Sequence, residues 1–239
     1  MILKHLILLL ACVISTGCRL QGELEHLGTT QLDVPEASGM AFKDSLLCVV
    51  SDRTGDIYLI DQKGITIERL KTKTKDVEGI AWYMNNFYLA NEANKKIYKY
   101  STSGDRLESY SLKTPKLYDP QNGLEGLCFD PYSNSFFVLN EKLPGQLLQF
   151  NDKFELLDQI FLSSYSDYSG VATTKEYIWV ISDEGEGIAQ YDRAYNLLKL
   201  YSINMDSPEG IAISEEENKI YIVSDSSSKL FVFALPKLE

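Results

Sequence analysis

From residue 22 onward, apolar and polar positions alternate in short runs, and no stretch holds a helical period, so the chain is predicted to be all-β. Five of the runs open alike: EASGMAF from Glu36, DVEGIAW from Asp76, GLEGLCF from Gly123, DYSGVAT from Asp167 and SPEGIAI from Ser207. Their glycines, Gly39, Gly79, Gly126, Gly170 and Gly210, stand 40, 47, 44 and 40 residues apart. A strand-rich period of that size predicts a β-propeller with one blade per repeat. A second apolar run follows each motif and ends in Ser-Asp or Asn-Glu; then come a turn rich in Gly, Asn, Pro and Ser and a third strand, as in VVSDRTGDIYLID and LANEANKKIYKYS. Fourth strands are predicted at ITIERLKT, RLESYSLK, ELLDQIFL and LLKLYSI, but the fifth repeat stops at KLFVFALPKLE. The segment GELEHLGTTQLDV, ahead of the first motif, resembles a fourth strand and is predicted to complete the last blade, closing the ring and removing its edges. The expected fold is therefore a single propeller of five four-stranded blades over residues 22–239.

Alternation also explains half of the motif. Residues two apart share a face of a strand, so Met40 with Phe42, Ile80 with Trp82 and Leu127 with Phe129 form a large face. The glycine, with Ala41, Ala81, Cys128, Ala172 or Ala212, forms a small one. Small faces let neighbouring blades crowd together at the axis. The carboxylates beside the glycines have no such role.

Residues 1–17, MILKHLILLLACVISTG, stand outside the repeat. Lys4 precedes an apolar stretch over residues 6–14, too short for the roughly 20 residues of a spanning helix, which reads as an export signal. Ser15-Thr16-Gly17-Cys18 resembles the bacterial lipobox, with Cys18 as the lipidated N-terminus and residues 18–21 as a short tether. The other reading is an ordinary signal with Cys18 incidental. Arg19 after the cysteine, where inner-membrane sorting favours Asp, points to anchoring in the outer membrane of the cell envelope.

Without the signal the chain carries 22 basic and 34 acidic residues, a net charge of −12. That balance argues against nucleic acid and favours cation binding or plain solubility. The one basic run, KTKTK at residues 71–75, reads as a solvated strand face. Cys48 and Cys128 sit in apolar strand patterns and are expected as buried thiols.

Acids fall at two places in the repeat. The residue before the glycine is Ser38, Glu78, Glu125, Ser169 or Glu209, and the residue three before it is Glu36, Asp76, Gly123, Asp167 or Ser207. The second strands close on Asp52, Glu92, Glu141, Asp183 and Asp225. In an up-and-down blade both sets lie at one edge of the sheet, so they are expected to converge on one mouth of the channel, with Asn91, Asn140 and several serines as neutral oxygen donors. An all-oxygen set with almost no His suits Ca²⁺ better than Zn²⁺. Against this stands turn chemistry: Asp, Glu, Asn and Ser at strand ends often satisfy backbone groups and nothing more.

The stretches EASGMAF with LLCVVSDRTGDIYLI, and DVEGIAW with FYLANEANKKIYKY, are similar to the SdiA-regulated domain family of bacterial exported and lipid-anchored proteins, over essentially the whole mature chain. The resemblance implies a propeller distantly related to NHL-repeat propellers and a calcium site at the acidic mouth. The matching positions are Glu36, Asp76, Glu78 and Glu125 from the first strands and Asp52, Glu92 and Asp183 from the ends of the second. Arg53 and Ser226 stand where the family commonly shows an acid, which puts blades one and five in doubt as donors.

Two functions fit. One is a monomeric, lipid-anchored binding module that presents a surface to an envelope protein, peptide or carbohydrate. The other is a calcium-dependent hydrolase, a lactonase, phosphoesterase or phytase, since related propellers include such enzymes. The second lacks the usual base: the histidines are His5, in the signal, and His26, predicted on an outer strand far from the axis. For phosphate only Arg53 and Lys142 stand near the mouth, and no GxSxG or HExxH motif appears.

Overall fold

The structure, a computed structural model, describes residues 21–112, 123–141 and 145–237. The signal, Cys18 and Lys142 lie outside the described residues. Two strands precede the first motif, β1 (Gln21–Glu23) and β2 (His26–Gln31). Blade one is β3 (Ala37–Lys43), β4 (Leu46–Ser51), β5 (Ile57–Ile60) and β6 (Thr66–Leu70). Blade two is β7 (Val77–Tyr83), β8 (Asn86–Asn91), β9 (Lys96–Tyr100) and β10 (Arg106–Ser111). Blade three is β11 (Leu124–Asp130), β12 (Ser135–Asn140), β13 (Gln146–Phe150) and β14 (Leu156–Phe161). Blade four holds β15 (Gly170–Thr173), β16 (Tyr177–Ser182), β17 (Gly187–Asp192) and β18 (Leu197–Ser202). Blade five begins with β19 (Pro208–Ser214), β20 (Lys219–Ser224) and β21 (Lys229–Ala234), and β2 completes it, with His26 opposite Phe233 and Gln31 opposite Lys229.

The predicted five-bladed ring with its N-terminal closure is what the chain forms. One strand was not legible. The triplet QGE forms β1, which pairs parallel to β18 as a fifth strand on the outer edge of blade four, Gln21 opposite Leu200 and Glu23 opposite Ser202. The closing strand therefore starts at His26 rather than at Gly22.

The motif glycines hold the ring together. A Cβ on Gly39 would lie 2.8 Å from the Gly79 Cα, one on Gly79 2.6 Å from the Leu127 nitrogen, and one on Gly126 3.2 Å from the Gly170 Cα. One on Gly170 would lie 2.3 Å from the Glu209 carbonyl oxygen, and one on Gly210 2.8 Å from the Gly39 carbonyl carbon. The backbones touch all the way round, leaving no room for a side chain. Between blades lie five apolar clusters, one per junction. The junction of blades five and one buries Met40, Leu47 and Val49 against Tyr221, Val223 and Leu230. The second strands are almost wholly buried, the outer strands β2, β6 and β10 mostly exposed.

Residues 71–75 are not a strand face. Thr72 and Thr74 are buried, donating or sharing hydrogen bonds with the Gly55 carbonyl and the Tyr100 hydroxyl, while Lys71, Lys73 and Lys75 face solvent. Cys48 and Cys128 are buried and unpaired with each other, and burial pushes the Cys48 thiol up to about 12.

Candidate functional site

The ends of the second strands of blades one, two, four and five carry a repeated stitch. The Ser or Asn before the acid donates from its side chain to the segment entering the first strand: Ser51 to the Pro35 carbonyl at 2.5 Å, Asn91 to Lys75 at 2.6 Å, Ser224 to Asp206 at 2.7 Å. In blade four Ser182 donates to the Asp167 carboxylate at 2.6 Å instead. The same side chains accept the amide three residues on, as Asn91 does from Asn94 at 2.9 Å and Ser182 from Gly185 at 2.8 Å. Asn91 was expected among the neutral oxygen donors of the mouth. Its side-chain groups are committed to this turn instead.

Three residues before the glycine, the same turn chemistry rules. Glu36, Asp76 and Ser207 have left-handed backbones (φ 47°, 55° and 43°), and their carbonyls accept the amides of Asp52, Glu92 and Asp225 at 2.9, 2.9 and 3.2 Å. Asp167 turns its buried carboxylate onto Ser182 and the amides of Asp183 and Glu184. In blade three the position is Gly123, and the Glu92 side chain lies against it: a Cβ there would fall 1.7 Å from Glu92 Cγ.

What remains converges. Glu36, Ser38, Asp52, Glu78, Glu125, Glu209 and Asp225 line one cavity of about 250 Å³ at the mouth of the channel. Of the predicted metal positions, Glu36, Asp52, Glu78 and Glu125 are in it, while Asp76, Glu92 and Asp183 stand outside its lining. Asp76 and Glu36 share a left-handed backbone and a register shift at the start of the strand, between Val77 and Gly79 in one blade and Ala37 and Gly39 in the other, yet only Glu36 lines the cavity. Glu209 and Asp225 had been set aside on the strength of Ser226. Their places in the repeat match Glu78 and Asp52, and that symmetry was the better signal. Ser38 donates to the Val77 carbonyl and Ser169 to the Pro208 carbonyl at 2.6 Å, so serine in place of glutamate joins one blade to the next.

The cavity is a hard place for charge. Burial first, then the nearby Glu125 and Asp52 carboxylates, raises Glu78 from 4.5 to about 10. Burial, then Glu78, Asp183 and Asp225, raises Glu209 to about 9. Asp52 and Glu78 share a hydrogen bond, which puts the proton on Glu78. Asp225 is raised by burial and by Glu36 and Asp52. One oxygen of Asp52 and one of Asp225, the Oδ1 atoms, are buried without a hydrogen-bond partner among the described residues. Also among the described residues, no group of three or more His, Cys, Asp or Glu side chains is gathered tightly enough to hold a metal ion as it stands.

This architecture matches a known family model, SdiA-regulated, over residues 23–234. The chain belongs to the SdiA-regulated family. Among solved structures, this SdiA-regulated propeller superposes on a glutaminyl cyclase from Myxococcus xanthus with a TM-score of 0.72 at 11% identity, covering 92% of this chain and 100% of that one. It also superposes on the Cps50 (Swd1) β-propeller domain of Myceliophteria thermophila with a TM-score of 0.55 at 8% identity, covering 87% of this chain and 100% of that one. At such identities the likeness is one of fold. Comparison with curated proteins gave no match.

Beneath the acidic cavity Glu78 and Glu209 also border a constriction of about 10 Å³, closed by the motif glycines with Met40, Ile80, Leu127 and Ile211. Beyond it, at the other end of the first strands, Phe42, Trp82, Phe129 and Tyr132 line an apolar pocket of about 250 Å³. His26 is exposed on the outer strand β2, away from the axis as expected. Arg53 lies 3.8 Å from Glu36 at the surface of the mouth.

Proposed function

We propose that the protein is an exported, lipid-anchored binding module of the bacterial envelope whose acidic mouth takes up a divalent cation, Ca²⁺. One observation carries this reading: six carboxylates line a single cavity, and the two deepest can be neutral at pH 7 only by holding protons far above their ordinary range. A cation would relieve that repulsion. The donor set fits it, being oxygen throughout, with the unpartnered Oδ1 atoms of Asp52 and Asp225 as its first members. Asp52, Glu78, Glu209 and Asp225 would hold the ion, with Glu36 and Glu125 beside them. When bound it would supply charge neutralisation and fix the mouth's shape. The membrane attachment follows from the lipobox-like sequence at Cys18.

A chain from Arg19 onward tests the cation: its melting temperature should rise in millimolar Ca²⁺ and fall with chelator. No shift, with no metal by elemental analysis, sinks the calcium reading. The mass of the membrane-extracted chain tests the lipid.

A second reading, hydrolysis or related amide chemistry at the same mouth, draws on the hydrogen-bonded carboxyl pair of Glu78 and Asp52, both raised by burial, Glu78 to about 10. Lactones, phosphomonoesters, phytate and, because the Myxococcus neighbour is a glutaminyl cyclase, peptides with N-terminal glutamine belong in the substrate screen. Turnover abolished by Asp52→Asn in a folded protein would favour this reading.

A further inference from the structure

At the far mouth of the channel, opposite the acidic one, the five-fold pattern breaks. Three residues after the motif glycines stand Phe42, Trp82, Phe129, Thr173 and Ile213, half-buried around the pocket of about 250 Å³. The rings are held from behind, Phe42 edge-on to Tyr221 at 5.6 Å, Trp82 against Phe87 at 4.7 Å and Phe129 stacked on Tyr83 at 3.9 Å between centroids. Blade four offers only Thr173, and there Tyr132, on the turn after β11 and 52% exposed, borders the pocket. Its hydroxyl donates to Glu215 of blade five at 2.6 Å, and Glu215 also accepts the Lys175 amide of blade four at 3.1 Å. The pocket is thus a blind cup with rigid aromatic walls and a polar rim, and walls already fixed lower the ordering cost of binding a guest.

The cup's chemistry narrows that guest. Lys43 Nζ stands 5.1 Å from the Trp82 centroid and the Arg193 guanidinium 5.6 Å from that of Tyr132. Both cations already have acids, Asp44 at 3.5 Å and Asp130 at 2.8 Å. A cationic guest would be repelled by them at the ring faces, and an anionic one would meet Glu215. A wholly apolar guest would cover the Glu215 carboxylate and the Thr173 hydroxyl without replacing their water. A neutral polyhydroxylated ring satisfies every part: its C–H groups lie on the electron-rich aromatic faces, and its hydroxyls donate to Glu215. A cavity of about 150 Å³ takes a benzene ring, so the cup has room for a six-membered ring with its hydroxyls.

We propose that the far mouth is a binding site for a neutral sugar residue, with Trp82 and Tyr132 as stacking faces and Glu215 as the hydrogen-bond acceptor. The closed constriction separates it from the acidic mouth, so it does not depend on the cation proposed above.

Tryptophan emission reports binding. The chain has two tryptophans, and Trp179 is 1% exposed, which leaves Trp82 as the responsive one. The full chain is titrated, in chelator, with the methyl glycosides of glucose, galactose, mannose and N-acetylglucosamine, and with cyclohexanol as a ring of similar size that lacks the array of hydroxyls. A saturable emission change with at least one glycoside at millimolar concentration is expected. Thr173→Phe, which puts a ring where the first three blades carry one, should abolish it. Tyr132→Phe, which keeps the ring and loses the bond to Glu215, should weaken it several-fold and serves even where the larger substitution fails to fold. No change with any glycoside, a change that Tyr132→Phe leaves intact, or an equal response to cyclohexanol overturns the proposal.

Discussion

Glu78→Gln isolates the burden of the acidic cavity. In the unfolded chain Glu78 titrates near its ordinary 4.5, and in the fold it is raised to about 10. Below pH 4.5 both states hold the proton and the group is neutral in its effect. As pH rises above 4.5 the unfolded state releases the proton while the folded state keeps it, so folding stability falls by about 1.4 kcal/mol per pH unit. At pH 7 the loss is about 3 kcal/mol, set by the distance from 4.5 to 7 and not by how far above 7 the folded value lies. Glutamine is neutral in both states and can still donate to Asp52. Without metal the variant should therefore be more stable than the wild type by up to about 3 kcal/mol at pH 7, roughly 6–12 °C in a domain of this size, and nearly equal to it at pH 4.5. Thermal unfolding in chelator between pH 4.5 and 7.5 measures this. In millimolar Ca²⁺ the order should reverse, because the variant has lost a donor. A variant that is less stable by the same amount at every pH would refute the reasoning, since it would mean that Glu78 acts through packing and not charge.

Asp130 is fully buried and accepts from Arg193 Nη2 at 2.8 and 2.9 Å, tying blade three to blade four; Arg193→Ala should cost about 2–4 kcal/mol by chemical denaturation, because the buried carboxylate loses its cation and keeps only the Ser133 and Tyr132 donors of its own turn. Gly170→Ala places a Cβ 2.3 Å from the Glu209 carbonyl oxygen and should cost at least about 1–3 kcal/mol, with a lower melting temperature but unchanged far-UV circular dichroism in what folds. With its thiol at about 12, Cys48 is only about one ten-thousandth thiolate at pH 8. The chain from Arg19 should thus leave both thiols unmodified by a thiol reagent until denaturant is added, when both react.

The ring was legible because its cause is local. Blades touch backbone to backbone at five glycines, and that crowding imposes the same Gly and Ala spacing on every repeat. β1 was not legible, since three residues at a sheet edge need no apolar alternation to pair. In the candidate site, Glu78 and Glu125 could be read from their place beside the glycine. Asp76 could not be told from Glu36 in the sequence: both stand on left-handed turns three residues before the glycine, and only Glu36 lines the cavity. Glu209 and Asp225 were discounted for a neighbour, Ser226, that lies beyond the acid on the turn and does not line the cavity. The serines and Asn91 read as oxygen donors, but the turn's own backbone claims them first.

Closure by β2 sets an order of events. The strand made early in synthesis finds its partner only in residues 229–234, some two hundred positions later, so blade five cannot assemble until nearly the whole chain is present. On the export proposed above, the chain would cross the membrane with its ring still open. The same delay leaves the unpaired β2, and the faces of blades one and four that blade five covers, exposed to wrong partners until the last strands arrive.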